Sequence, residues 1–391
     1  MFGIKTNIDS NKIKELLARR IEAVFPSVEY AEEELKSGKK LRVYLGIDPT
    51  GPSLHLGHTI PLLFLKQLLE LGHRPVLLIG DFTARIGDPT GKETARKPLT
   101  KKEIKENMKD YLKQAYKILP KGSFDVKYNS SWLSNMSFDD VIRLSAHVTV
   151  QQMIIRDMFQ ERLKNGKSIG VHEFLYPLMQ GYDSVAMKID GEVGGNDQTF
   201  NMLVGRDLEK KLLNKDKLVF TTRLLVDAES GKKMSKTEGG LISLSDSPQD
   251  MFGKTMKTIP DEITELVFRL CTEKPSEWIE DRKRNNPYDF KKELASELVR
   301  MYHGENEAMK AWQEWDKVFS RGELPSEMEE VKTSKLVELV GLVMQGSSSS
   351  AKILIDQGAV EVNGEVTKEW NFIPKEGDVI RIGPKKFIRI K

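Results

Sequence analysis

The sequence contains almost no cysteine and no long apolar run. A single residue, Cys271, among 391 cannot form a disulfide within the chain, which favours a reducing, cytoplasmic setting. No apolar stretch approaches the roughly 18 residues of a membrane-spanning helix, which excludes a helical membrane protein. The first residues have no apolar core followed by a small-residue cleavage site, so we expect no secretory signal.

Charge of one sign is not in excess either. The 61 Lys and Arg residues are nearly balanced by 58 Asp and Glu residues, which gives a net charge of +3. So mild a charge gives no reason by itself to expect a nucleic acid or another polyanion as partner. With 39% hydrophobic and 30% charged residues the composition is that of a globular protein, and the length predicts two to three domains.

Strand and helix patterns alternate in the first part of the chain. Residues 41–47 alternate in hydropathy and residues 75–80 form a short apolar run, and both patterns are typical of strands. Each is followed by a glycine-bearing turn and then by a helical pattern, over residues 60–71 and about 100–119. Residues 219–226 predict a further buried strand. This alternation predicts an α/β fold with a Rossmann-type, doubly wound parallel sheet.

Other segments have different patterns. The first thirty-five residues predict helix, because apolar residues recur at helical spacing from Ile13 to Ile21. Residues 245–319 predict helices almost throughout. The last sixty residues predict a small separate α+β module with two short helices, near 336–344 and 348–356, followed by strands. Within it, Asn363-Gly364 is a strong signal for a type I′ hairpin.

Two motifs could carry chemistry. His55-Leu56-Gly57-His58 lies where the first predicted strand passes into a helix, the position at which doubly wound sheets bind phosphates. Its imidazoles could donate hydrogen bonds to phosphate oxygens, while Gly57 leaves room for a nucleotide. The second motif, GKKMSKT at 231–237, offers lysines that could neutralise a pyrophosphate leaving group. Taken singly, the histidines are equally compatible with a surface turn and the lysines with a solvated loop.

Together and in this order, the two motifs resemble the signatures of the class I aminoacyl-tRNA synthetases. Further segments make the chain similar to the bacterial tyrosyl-tRNA synthetases within that class: VYLGIDPTGPSLHLGH, GHRPVLLIGDFTARIGDPTGK, FLYPLMQGYD and GGNDQ. The last module resembles the α-L RNA-binding fold shared with ribosomal protein S-four. The likeness extends over nearly the whole chain.

The resemblance implies an activity, partners and a division into domains. The chain would activate L-tyrosine with ATP and Mg²⁺, with no metal held by the protein itself, and would then charge tRNA(Tyr). It would be a homodimer, without DNA or a membrane as partner. A catalytic Rossmann-type domain with an N-terminal helical segment and a helical insertion would occupy residues 1–229. The KMSK loop and an α-helical anticodon-binding domain would occupy 230–330, and the α-L module 331–391, with a polar linker over 323–334.

The resemblance also assigns roles to residues at matching positions. The tyrosine hydroxyl would be bound by Tyr44 and Asp183, the ammonium by Asp88, Tyr176 and Gln180, and Gln198 would lie near the carboxylate. Catalytic groups around the ATP phosphates would be Thr50, His55, His58, Lys92, Arg96, Lys233 and Lys236. Further contacts to ATP and the adenylate would come from Gly46, Asp48, Gly57, Gly195, Asp197, Met234 and Ser235. The spacing of Tyr176, Gln180 and Asp183 predicts that all three share one helix face.

Two departures from the family pattern affect these expectations. Leu45 stands where some relatives have a cysteine that touches the ribose, so that polar contact is missing. Four serines, 347–350, stand where relatives carry more Arg and Lys, which leaves fewer phosphate contacts for the α-L module.

Three alternative functions remain open at this stage. A tryptophanyl-tRNA synthetase shares the frame but needs neither an α-L module nor the pair of Tyr44 and Asp183. A small-substrate adenylyltransferase uses a similar histidine motif but needs no helical domain after the KMSK loop. A non-catalytic RNA-binding protein of synthetase descent is expected to have lost parts of the two motifs, and both are intact here.

Overall fold

The structure is a computed structural model that describes residues 6–90, 99–226, 241–325, 328–344, 346–383 and 386–391. The chain divides into two compact units, Met1–Ala308 and Met309–Lys391. In these described ranges, no helix has both the length and the apolar character needed to cross a membrane.

A six-stranded sheet with the order β1-β6-β5-β2-β3-β4 lies at the centre of the first unit. Its strands are β1 Ile21–Phe25, β2 Arg42–Ile47, β3 Arg74–Ile79, β4 Asp125–Tyr128, β5 Gly191–Gly195 and β6 Leu218–Thr222. The last five strands are mutually parallel, and β1 is antiparallel to β6 at one edge. The strand order reverses between β2 and β5, which confirms the doubly wound sheet and creates its switch point.

Helices lie between these strands in the sequence and also follow β6. In chain order they are α1 Ser10–Arg19, α2 Val28–Lys36, α3 Leu56–Glu70, α4 Lys101–Met108, α5 Tyr111–Ala115, α6 Ser130–Leu133, α7 Phe138–Ser145, α8 Val150–Ile154, α9 Asp157–Lys164, α10 Val171–Met187, α11 Thr199–Leu213, α12 Pro248–Thr258, α13 Thr264–Cys271, α14 Ser276–Arg282, α15 Pro287–His303 and α16 Glu305–Trp315. Helix α3 packs on β2 and β3, whereas α11 packs on β5 and β6 and also lies along α10. These helices cover the apolar sheet, whose strand β3 is buried from Pro75 to Ile79 as its continuous apolar run predicts.

Three local predictions were wrong. Residues 21–25 form strand β1 and not helix, because Ile21 and Val24 are buried where β1 pairs with β6. The helix predicted over residues 100–119 is split into α4 and α5, with Asp110 outside helical geometry between them. The strand predicted over 219–226 ends at Thr222. The first difference depends on pairing with the distant strand β6, which local propensity does not register.

A second sheet, with the order β7-β11-β10-β8-β9, belongs to the second unit. Its strands are β7 Glu329–Val331, β8 Val360–Val362, β9 Glu365–Val366, β10 Val379–Ile382 and β11 Lys386–Ile390, and its helices are α17 Leu336–Met344 and α18 Ser348–Asp356. Apolar side chains from both helices and from the sheet form one core. Both predicted helices and the hairpin are confirmed, since Asn363 and Gly364 have φ values of 53° and 87°. The stretch predicted as a linker instead contains β7, which pairs with β11.

Candidate active site

The main cleft of the first unit opens at the carboxyl ends of β2 and β5, where the strand order reverses. It has a volume of about 970 Å³. Its walls come from β2, from the turn that leads into α3, from β5 and from one face of α10. Doubly wound sheets bind ligands at this place, because the strand ends and helix N-termini there leave a crevice lined by backbone donors.

Helix α10 carries three of the predicted side chains into the cleft. Tyr176, Gln180 and Asp183 all line it, so the predicted shared face is confirmed. Tyr176 and Asp183 are only 6% and 2% exposed, although both are polar. Buried polar groups of this kind require hydrogen-bond partners. The partners of Asp183 lie at one end of the cleft and the partner of Tyr176 lies at the other.

One end of the cleft combines an apolar wall with two polar groups. Tyr44 is fully buried in a cluster with Val76, Leu78, Met187 and Ile189, and its hydroxyl lies 3.2 Å from Ser184 Oγ. Burial raises the pKa of Tyr44 well above its ordinary value, as do the nearby carboxylates, so the phenol stays protonated.

Asp183 lies at the same end, held by two donors. Trp132 Nε1 donates to Oδ1 at 2.7 Å, and Asn129 Nδ2 donates to Oδ2 at 3.2 Å. Burial raises the pKa of Asp183 well above its ordinary value, while these two hydrogen bonds work in the opposite direction. Because both oxygens accept from N–H groups, Asp183 is an oriented, buried hydrogen-bond acceptor and not a surface carboxylate.

The other end of α10 is tied to Asp48. Tyr176 donates its hydroxyl to Asp48 Oδ2 at 2.9 Å, and Thr83 Oγ1 donates to Oδ1 at 2.7 Å. Glycine is needed beneath this carboxylate, because a Cβ at Gly80 would lie 1.9 Å from Asp48 Oδ1. Asp48 is thus fixed from two sides at the end of β2.

A third polar group joins Asp88 to the turn after β5. Gln198 Nε2 donates to Asp88 Oδ2 at 2.7 Å, and Asn201 Nδ2 in turn donates to Gln198 Oε1 at 3.0 Å. The other oxygen of Asp88 accepts from the Thr90 backbone N–H at 3.0 Å and from its hydroxyl at 2.6 Å. Asp197 lies beside Gln198 in the same turn. The cluster presents carboxylate and amide oxygens to the cleft, a set suited to an ammonium group or to hydroxyls.

The two histidines cap the N-terminus of α3. His55 Nδ1 accepts from the Gly57 backbone N–H at 3.1 Å, and His58 Nδ1 accepts from the His55 backbone N–H at 3.1 Å. Burial lowers the pKa of His55 to about 4 and that of His58 to about 3, the latter also because His55 is adjacent. Both rings are therefore neutral near pH 7 and carry their proton on Nε2, so each is a hydrogen-bond donor.

The structure brings the predicted residues that it describes to one cleft. They are Tyr44, Gly46, Asp48, Thr50, His55, Gly57, His58, Asp88, Tyr176, Gln180, Asp183, Gly195, Asp197 and Gln198. Six others lie outside the described residues: Lys92, Arg96, Lys233, Met234, Ser235 and Lys236. The roles assigned to the residues of both groups stay predictions. Among the described residues, no group of three or more His, Cys, Asp or Glu side chains could hold a metal ion.

Sequence reasoning missed several side chains that orient this site. Trp132 and Asn129 follow β4 and reach Asp183 from there, and no local pattern marks them. Ser184 follows Asp183 directly, yet its contact with Tyr44 depends on sheet packing. A lysine just before an apolar strand, Lys217, was a signal that could have been followed, because burial of that strand forces the lysine to find a partner.

Comparison with known proteins agrees with this geometry. A family model described as tRNA synthetases class I (W and Y) matches residues 36–320. A tyrosine–tRNA ligase of Thermotoga maritima is 44% identical over 376 residues, which cover 92% of this chain and 94% of that protein. One of Carboxydothermus hydrogenoformans is 42% identical over 400 residues, covering 96% and 97% respectively.

Solved structures share the fold at lower identity. A C-terminally truncated mitochondrial tyrosyl-tRNA synthetase of Aspergillus nidulans has a TM-score of 0.66 at 24% identity, over 79% of this chain and 94% of its own. The tyrosyl-tRNA synthetase of Archaeoglobus fulgidus, complexed with L-tyrosine, has a TM-score of 0.61 at 23% identity, over 78% and 99%. With a family model that matches most of its length and relatives above 40% identity over nearly all of it, the chain belongs to the class I tRNA synthetases of the W and Y family.

Proposed function

We propose that this chain is a tyrosine–tRNA ligase that activates L-tyrosine with ATP and then charges tRNA(Tyr). The observation that carries the proposal is the buried end of the cleft, where the Tyr44 hydroxyl and the oriented Asp183 carboxylate interrupt an apolar wall. A phenol fits this end, because its ring meets the wall while its hydroxyl can donate to Asp183 and accept from Tyr44. Phenylalanine would offer neither Tyr44 nor Asp183 the hydrogen bond that the substrate hydroxyl makes, and would exclude water from both buried groups, which costs free energy and gives discrimination.

The opposite end suits the charged part of an amino acid. Asp88, Tyr176 and Gln180 would bind the ammonium. Gln198, which donates a hydrogen bond to Asp88, would lie near the carboxylate. Tyr176 donates to Asp48, so its ring and position are fixed before substrate enters. Preorganised polar groups of this kind bind a zwitterion without the cost of reorientation.

Activation joins the bound amino acid to ATP without a protein nucleophile. The tyrosine carboxylate oxygen attacks the α-phosphorus of ATP, a P–O bond forms, and the bond to pyrophosphate breaks. Neutral His55 and His58 would donate their Nε2 protons as hydrogen bonds to phosphate oxygens, and Thr50 lies in the same wall. By resemblance, Lys92, Arg96, Lys233 and Lys236 would neutralise the departing pyrophosphate, and Asp197 and Gly195 would contact the ribose. Mg²⁺ would enter as its complex with ATP, bound by phosphate oxygens.

Transfer to tRNA follows in the same cleft. A ribose hydroxyl of the terminal adenosine attacks the acyl carbon of tyrosyl-adenylate, and AMP leaves. The α-L module would bind the tRNA backbone through its basic residues, since ten Lys and Arg stand against seven Asp and Glu over residues 332–391. The three-domain division at 229/230 and 330/331 and a cytoplasmic location, where charged tRNA serves translation, are parts of the same proposal.

A homodimer is supported by apolar side chains on the surface of the first unit. Phe138, Ile142, Val150, Ile155 and Val171 are between 54% and 79% exposed. Apolar groups of this size clustered within a short stretch are typical of protein interfaces, and a second copy of the chain would cover them. Light scattering on Ile155→Asp should then give the mass of one chain, whereas the parent gives that of two.

Pyrophosphate exchange into ATP, run with each amino acid in turn, tests the proposal. Exchange should depend on tyrosine and stay at background with phenylalanine and tryptophan. Tyr44→Phe should lower the preference for tyrosine over phenylalanine about tenfold, the effect of one lost hydrogen bond. Tyr302→Phe is the matched control, because Tyr302 is also buried but does not line the cleft. Exchange driven best by tryptophan would overturn the assignment.

A further inference from the structure

A buried ion pair lies directly behind the proposed phenol-binding end. Lys217, just before β6, is fully buried and its ammonium pairs with Glu192 of β5, itself 2% exposed. Lys217 Nζ also lies 5.8 Å from the centre of the Tyr44 ring. A buried ion pair is weak as a stabilising device, because desolvation of the two charges offsets their attraction. Its position against the substrate site therefore calls for a functional account.

The pair is the centre of a hydrogen-bond chain that reaches both parts of the site. Lys217 Nζ donates to Ser184 Oγ at 2.8 Å, and Ser184 Oγ lies 3.2 Å from the Tyr44 hydroxyl. On the other side, Gln180 Nε2 donates to Glu192 Oε1 at 3.1 Å, while Lys217 donates to the second oxygen, Oε2. One lysine is thus connected to the hydroxyl-binding tyrosine and, through Glu192, to the helix face that holds the ammonium.

The chemistry of the donors decides which group donates and which accepts in each of these hydrogen bonds. An ammonium group only donates, so Ser184 Oγ must accept from Lys217. The positive charge favours the arrangement in which the serine proton points away from it, toward Tyr44. Without substrate, the Glu192 carboxylate is within reach of the Tyr44 hydroxyl and can accept its proton. Its oxygens are already shared with Lys217 and Gln180, so a substrate oxygen can replace Glu192 as the acceptor. If Ser184 donates to Tyr44, the Tyr44 proton is left for a substrate.

We propose that Lys217 is a specificity-positioning residue that fixes Tyr44 as a donor to the substrate hydroxyl. Tyr44 then donates to the phenolic oxygen, while Asp183 accepts the substrate's own proton, so that only a group able both to accept and to donate satisfies the two. The inference rests on the proposed tyrosine pocket and adds which of its two groups donates a hydrogen bond and which accepts one. Lys217 does not touch the substrate and acts through Ser184 and Glu192.

The test replaces the pair by neutral side chains of similar size. Lys217→Met combined with Glu192→Gln avoids an unpaired buried charge and keeps an acceptor for Gln180. We expect its kcat/KM for tyrosine in pyrophosphate exchange to fall about tenfold, with the value for phenylalanine unchanged. Ser184→Ala should have the same effect. Adding it to the double variant should cause no further loss, because both changes interrupt the same series of hydrogen bonds from Lys217 to Tyr44.

A second substrate reports the direction of the hydrogen bond. In the double variant Tyr44 is free to accept, so 4-aminophenylalanine, whose para group donates two protons, should lose less activity than tyrosine. The matched control is Arg162→Met with Glu173→Gln, which removes another buried pair, 2.5 Å apart, outside the cleft. This control should leave the ratio of tyrosine to phenylalanine unchanged.

Other outcomes overturn the inference. A ratio of tyrosine to phenylalanine that is unchanged in a folded double variant, or independent additive losses with Ser184→Ala, would show that Lys217 has only a structural role. An equal loss for tyrosine and 4-aminophenylalanine would contradict the direction assigned to the chain. Failure of the proposed pocket gives a different result, because then Tyr44→Phe itself leaves the ratio unchanged.

Discussion

Glu209 should make the stability of this protein depend on pH near neutrality. The side chain lies on α11 with no exposure to solvent, and neither carboxylate oxygen has a hydrogen-bond partner among the described residues. Lys215 Nζ is 3.9 Å away, which is a weak pairing. Burial raises the pKa of Glu209 from 4.5 to about 7, although Lys217 and Lys215 oppose the shift.

The sign and size of the effect follow from this shift. A carboxyl whose pKa is higher in the folded state than in the unfolded state binds its proton more tightly when folded. Its contribution to stability is therefore complete below about pH 4.5 and is lost as the pH rises through about 7. At 1.36 kcal/mol for each pH unit, the difference between 4.5 and 7 corresponds to about 3 kcal/mol at most.

Glu209→Gln isolates this contribution, because glutamine has the same shape and does not titrate. The free energy of unfolding of each protein is measured by urea denaturation at pH 5, 6, 7 and 8. The variant should gain stability relative to the parent by about 2.5 kcal/mol between pH 5 and pH 8, whatever its absolute stability. Glu265→Gln, on a partly exposed carboxylate paired with Arg269, is the control and should show no such trend. A difference between parent and Glu209→Gln that stays constant over this range refutes the reasoning.

Three further predictions concern activity. Gly80→Ala places a Cβ 1.9 Å from Asp48 Oδ1 and should lower pyrophosphate exchange at least tenfold, whereas Gly51→Ala, where a Cβ meets nothing within 4 Å, is the control. Lys233→Ala should lower the rate of activation by about a hundredfold while tyrosine affinity stays within about twofold, because the lysine acts in the transition state; parallel losses would contradict this. A chain ending at Gly322, before β7, should keep adenylate formation and charge tRNA poorly over a salt series. Equal charging by both chains would exclude tRNA binding by residues 323–391.

The frame of the fold was accessible from sequence because its signals are local. Strand β2 alternates in hydropathy, strand β3 is a short apolar run between turns, and Asn363-Gly364 requires the backbone that a type I′ turn provides. Strand β1 was not accessible, since Ile21 continues the helical spacing of α1 and only its pairing with distant β6 makes it a strand. Long-range pairing overrides local preference at such an edge.

The candidate site divides in the same way. The histidine motif lies at one strand-to-helix turn, and Tyr176, Gln180 and Asp183 lie on one face of α10. Each set follows from local spacing, so each could be anticipated, and both line the cleft. The groups that orient them come from elsewhere in the chain: Trp132 reaches Asp183 from beyond β4, and Lys217 reaches Ser184 from just before β6. Such contacts exist only after the sheet has assembled, and a single sequence contains no periodicity that reports them.

Helix α10 also gives the site a fixed length. Tyr176 and Asp183 are seven residues apart on one face, which at 1.5 Å per residue is about 10 Å along a rigid axis. Helix α11 holds this rod closely, because a Cβ on Gly181 would come within 3.2 Å of Gly205 Cα. The helix thus fixes the distance between the two side chains, and neither can move along the axis without the other. A longer or shorter amino acid could be accommodated only by exchanging residues at these two positions, since the spacing itself belongs to the helical repeat.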